Sequence, residues 1–183
     1  MINPEERSSL FNFALKVQKL SGFIIGLAML WSIWAITFSQ LEYVFIAKIL
    51  ISLIFLGFGL VAPLIDFNES HATNPLWTGH ARFHLVWQVN AMILTSVIAF
   101  LLLWFFESFI SLIIVFSLAY LWIFSFFVSV ISMKVYDGKL NDINGVPPIE
   151  MNFANKKIVI DRNVQAISGA FLVSTYSLVL ILL

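Results

Sequence analysis

Five apolar stretches dominate the chain, at about 20–38, 44–65, 84–105, 108–133 and 164–183. A run of about 20 apolar residues is the length that carries a helix across bilayer hydrocarbon. In that medium every backbone N–H and C=O needs a partner within the protein, which leaves helices as the structure such runs can adopt. The expected fold is therefore an all-α membrane protein: a single integral domain over 1–183, a bundle of five transmembrane helices. Composition agrees, since only 11% of residues are charged where a soluble domain carries about 25%. Ten Lys and Arg balance ten Asp and Glu, so no net basicity points to nucleic acid, and none is expected as a partner. The absence of Cys excludes disulfides, thiolate metal ligands, iron–sulfur clusters and cysteine nucleophiles. A cleavable signal peptide is not expected, because the first apolar run begins only near Leu20, behind Glu5 and Glu6, and no small-residue cleavage site follows it.

Asn3-Pro4-Glu5-Glu6 has the residues of a helix start: a capping Asn, Pro at the first helical position and Glu to answer the cap and the dipole. Leu10, Phe13, Ala14 and Val17 then recur at helical spacing among Arg7, Lys16 and Lys19. This segment is either a short N-terminal interfacial helix at the headgroup level or an extension of the first span. The third and fourth spans are separated only by the neighbourhood of Glu107, which makes them an antiparallel hairpin. Arg7, Lys16, Lys19, Arg82, Lys134, Lys139, Lys156, Lys157 and Arg162 all fall on one side of this arrangement, against Lys48 alone on the other. Cytoplasmic loops carry the excess of Lys and Arg, so the N-terminus is expected in the cytoplasm and the C-terminus outside. Lys48 can snorkel from its span to the outer interface. The longest polar excursion, about 134–163, carries turn signals at Asp137-Gly138, Asn144-Gly145 and Pro147-Pro148.

All three histidines fall within residues 66–84. His80 and His84 are four apart, so both rings project from one face of a helix, and Gln88 continues that stripe. Thr78-Gly79 and Asn74-Pro75 are alternative starts for this helix. A turn at Asn74-Pro75 can fold His71 back over His80, with Asp66 and Glu69 nearby. His71, His80, His84 and Asp66 are then a candidate ligand set for zinc or non-haem iron, with an open position for water or substrate. The pattern lacks the Glu of a zinc-protease helix, and interfacial histidines also serve as anchors that hydrogen-bond loop carbonyls and helix ends.

The second polar loop supplies Asp161, Arg162 and Asn163 at the start of the fifth span, with Gln165 and Ser168 following at helical spacing. That stripe is expected to face the bundle interior, where Gln88, Asn90 and Gln165 would need interhelical partners or a wet pocket. Arg82 can grip an anionic headgroup or simply belong to the basic cytoplasmic face. Pro63 marks a kink in the second span. Gly57 and Gly59 mark close helix packing, since no phosphate-binding pattern surrounds them.

The stretch Asn74-Pro75-Leu76-Trp77-Thr78-Gly79-His80-Ala81-Arg82-Phe83-His84 resembles the signature of a family of small, uncharacterised multi-spanning membrane proteins. The resemblance implies a family built around this loop; it transfers no activity or cofactor to any residue.

The leading functional expectation is a cytoplasmic-facing pocket that binds a metal and acts on a lipophilic substrate. Glu69 or Asp161 would handle protons there, Arg82, Gln88 and Gln165 would bind substrate, and the metal would polarise an oxygen or activate water. The alternative, from a different class, is a non-enzymatic lipid-binding or assembly subunit whose motif locks the loop to the bundle. A transporter ranks third, because no span carries a central acid or base.

Overall fold

The computed structural model describes residues 8–140, 145–153 and 156–183. Among these residues five helices are long and apolar enough to cross a membrane, so the chain is a multi-pass, all-α membrane bundle. Helix α1 spans Ser9–Phe38. The second span begins as α2, Tyr43–Leu56, widens into a π-helical turn at Gly57–Val61 and ends as α3, Ala62–Asp66. Helices α4, Gly79–Phe105, α5, Phe109–Ser132, and α6, Arg162–Leu182, complete the bundle.

The second span is the hub. Ile46, Ala47, Leu50, Ile51, Ile54, Phe55 and Phe58 are all buried, because α2 packs against α6 while it and the π turn also touch α1 and α4. Helix α5 closes the bundle against α4 and α6. The outer helices expose Phe23, Leu30, Leu94, Ile110 and Leu172, an apolar surface suited to lipid. The π turn ends two residues before Pro63, and Ala62 donates its N–H to Gly57 O, five residues back. Proline cannot donate and its ring crowds the carbonyl one turn earlier, so a widened turn accommodates it. At Gly59 the span comes so close to α4 that a Cβ would lie 2.6 Å from Ser96 Cβ, whereas at Gly57 a Cβ would meet nothing within 4 Å. Close packing thus explains Gly59 and leaves Gly57 without that role.

Polar side chains tie the helices at discrete points. Trp104 of α4 donates its indole N–H to Ser52 Oγ of α2 at 3.0 Å. Lys48 Nζ lies 5.2 Å from the centre of the same indole ring, so its charge rests on an aromatic face. Tyr120 of α5 and Thr175 of α6 share a hydrogen bond of 3.0 Å.

The first ten residues of α1 run without a break into its span. There is no separate interfacial helix among the described residues: the segment around Leu10–Val17 extends the first span. The helix-start signals at Asn3, Pro4, Glu5 and Glu6, with Arg7, lie outside the described residues, and the observed cap is Ser8, whose hydroxyl accepts from Phe11 N. Asn144 also lies outside them. Asp137 adopts a positive φ of 52°, as the Asp137-Gly138 turn signal implies. Beyond the turns that its Gly and Pro signals imply, the polar excursion contains an antiparallel hairpin, β1 at Ile149–Phe153 and β2 at Lys156–Ile160.

Candidate functional site

The end of the bundle that carries the histidines is assembled by long-range contacts. Phe11 and Ala14 of α1, Ile65 of α3 and Val146 from the second polar loop form one buried apolar cluster. Arg162 at the start of α6 donates from Nε to Pro147 O at 2.8 Å. The loop before α6 therefore packs at the end of the bundle where α1 begins and α3 ends.

Residues 67–78 form a compact loop that satisfies its own polar groups. Asn68 is only 2% exposed, and Ser70 and Asn74 are 1% exposed, so each would be costly without partners. Asn68 Nδ2 donates to Leu64 O and Ile65 O, and its Oδ1 accepts from Ser70 N. Ser70 Oγ donates to Ile65 O, Asn74 Nδ2 donates to Ser70 O, and Asn74 Oδ1 accepts from Leu76 N. These Asn residues do what Asx turns do elsewhere, replacing missing main-chain partners where the helix has ended.

Glu69 faces the other way. Its Oε1 accepts from Ser8 N at 2.7 Å and its Oε2 from Ser8 Oγ at 2.8 Å. The carboxylate therefore grips the first residue of the α1 cap. Partial burial pushes its pKa up, but hydrogen bonds from its own backbone and from the Ser8 N–H and hydroxyl outweigh that and hold it below the ordinary value.

The histidines fall into two pairings. His71 Nδ1 lies 2.7 Å from Ser70 Oγ and 3.6 Å from Asp66 Oδ1, with its ring edge-on to Trp77 at 5.5 Å between centroids. Burial lowers its pKa, against an opposing pull from the Ile65 carbonyl. His80 and His84, both exposed on the first turns of α4, place their Nε2 atoms 3.0 Å apart. His84 also stacks on Trp87 at 6.0 Å. Thr78, not Asn74, starts this helix, with its hydroxyl accepting from Ala81 N. Among the described residues no group of three or more His, Cys, Asp or Glu side chains comes together in a way that could hold a metal ion. The four-ligand arrangement of His71, His80, His84 and Asp66 is thus two pairs, not one cluster.

The remaining candidates divide similarly. Asp161 is 8% exposed, and its Oδ1 accepts from Asn163 N and Val164 N at 2.8 and 3.0 Å, as the cap of α6. Gln88, Asn90 and Gln165, expected to face inward, are all exposed. Gln88 belongs to the same outward stripe as His80 and His84, and Gln165 lies in the first turn of α6 where water and headgroups reach it. Arg82 is half-buried and, two residues from each histidine of its helix, does not share their face. Asn68, Ser70 and Ser8 were missed as key residues. Buried Asn in a chain this poor in polar groups was the available signal for the loop; nothing near Ser8 pointed to Glu69, 61 residues away. Comparison of the chain with protein-family models, curated proteins and solved structures returns no match.

Proposed function

We propose that the chain is a non-enzymatic subunit of the membrane that binds lipid and serves assembly, with the loop at 67–78 acting as a structural lock. The observation that carries this reading is what the two candidate catalytic carboxylates do: Glu69 holds Ser8 at the start of α1 and Asp161 caps α6. A general base needs its oxygen aimed at a substrate proton, and these oxygens are engaged with helix ends. The hairpin supports the lipid half of the reading. Cross-strand pairing puts Ile149, Met151 and Phe153 on one face with Ile160, Ile158 and Lys156, and Met151, Phe153 and Ile158 are exposed there. An apolar face tethered between two spans, with lysine beside it, suits the headgroup boundary of a bilayer. The nine-to-one distribution of Lys and Arg supports a cytoplasmic location for this end, with the N-terminus inside and the C-terminus outside.

A second reading is a zinc- or iron-dependent enzyme acting on a lipophilic substrate. The Asp66–His71 pair favours it; it requires that pair to be joined by His80 and His84 when metal binds. Thermal unfolding of variants separates the two readings. If the carboxylates are structural, Glu69→Ala and Asp161→Ala each lower stability by about 1 kcal/mol, the usual scale for losing a cap or a charge-assisted bond at a partly wet site. Midpoints equal to or above wild type would contradict the lock, because removing a carboxylate held for chemistry typically leaves stability unchanged or improved.

A further inference from the structure

We propose that His80 and His84 form a two-imidazole chelate for a divalent ion of the copper or nickel type, at the wet start of α4. Their Nε2 atoms lie 3.0 Å apart. With metal–nitrogen bonds of about 2.0–2.1 Å, that separation subtends about 95° at the ion. This is the cis angle of a square-planar or octahedral centre, the geometry Cu2+ and Ni2+ prefer with nitrogen and oxygen ligands, and it is narrower than the tetrahedral angle of zinc. In the metal-free pair one Nε2 donates its hydrogen to the other; on binding, that ring passes to its Nδ1–H tautomer and both rings turn so that their two Nε2 lone pairs converge on an ion lying to one side of the N–N line.

The surroundings fit this use. Thr78 caps α4 immediately before the pair, so both rings sit on formed helix at fixed i, i+4 positions. Phe83 lies edge-on to His84 at 5.7 Å and Trp87 stacks on it at 6.0 Å, which restricts the ring to few orientations. Both histidines are exposed, so water completes the coordination sphere and the ion can enter without opening the bundle. His71 is outside the site: its Nδ1 is engaged by Ser70 and its ring by Trp77. The chelate does not rest on the assembly reading, and with His71 outside it, it is a different centre from the four-ligand one that the enzyme reading requires.

The test uses the full chain in nanodiscs of uncharged phosphocholine lipid, titrated with Cu2+ and read by electron paramagnetic resonance. Wild type should bind one ion per chain with a signal from two equatorial nitrogens. His80→Ala and His84→Ala should each weaken binding by about 100-fold, because loss of one arm removes the effective-concentration advantage of a chelate, and His71→Gln should bind as wild type. Both alanine positions are exposed, and an unchanged thermal midpoint in the absence of metal verifies the fold. The proposal is overturned if wild type shows no saturable binding, if either alanine variant keeps the two-nitrogen signal at wild-type affinity, or if His71→Gln loses binding equally.

Discussion

His71 illustrates how one side chain couples the loop to pH. It lies between the Ser70 hydroxyl, Asp66 and the edge of Trp77, and burial lowers its pKa in the folded chain. In the unfolded chain the ring titrates near about 6.5. Between the two values the unfolded state binds a proton that the folded state does not, so stability falls as pH drops below the unfolded value. The His71 contribution to stability is therefore expected to shrink as the pH is taken from about 7.5 to about 5.5, so over that interval the thermal midpoint of wild type should fall relative to that of His71→Gln. An equal slope in both proteins would show that the ring is neither shielded nor stabilising. Glu69 acts in the same direction at lower pH: its depressed pKa supports the fold above the ordinary glutamate range, and that support is lost as the carboxylate protonates.

The spans were legible because a run of apolar residues long enough to cross hydrocarbon has few other fates. The boundaries were less so. The first and third spans extend into helix with a mixed polar face, Lys16 and Lys19 in one and His80 and Arg82 in the other, and such turns do not register in a count of apolar residues. The hairpin was missed because its strands are five residues each and the turn signals around them masked the alternation of Ile149, Met151 and Phe153. Within the spans, Gly59 offers the sharpest test of how the elements meet. A Cβ there would collide with Ser96, so Gly59→Ala should cost about 1–3 kcal/mol by overpacking, and adding Ser96→Gly should recover much of that loss. Gly57→Ala, facing open space, should be close to neutral or slightly stabilising. If all three variants unfold at the wild-type midpoint, the second and third spans do not pack through Gly59.

At the scale of the molecule, the two ends of the bundle differ in kind. One is an aromatic anchor, where Lys48, Trp104 and Phe45 meet around Ser52; the other is a polar seam built from the starts of α1, α4 and α6 and the loops between them. The candidate site was legible as a place, since all three histidines cluster in sequence, but not as an arrangement. Which of them pair depended on where α4 begins, and Glu69 found its partner across the bundle at Ser8. Because the chain has no Cys, single cysteines labelled with a membrane-impermeant maleimide can test both the sidedness of the bundle and the closure of the loop. Ser70→Cys places a small side chain at a position 1% exposed, whereas Thr73 in the same loop and Gln40 between α1 and α2 are exposed. In sealed vesicles Thr73→Cys should label from the cytoplasmic side and Gln40→Cys from the opposite side, with Ser70→Cys unreactive until denaturant is added. Labelling of Ser70→Cys as fast as Thr73→Cys, or of Thr73→Cys and Gln40→Cys from the same side, would contradict a closed lock at the cytoplasmic end of a five-span bundle.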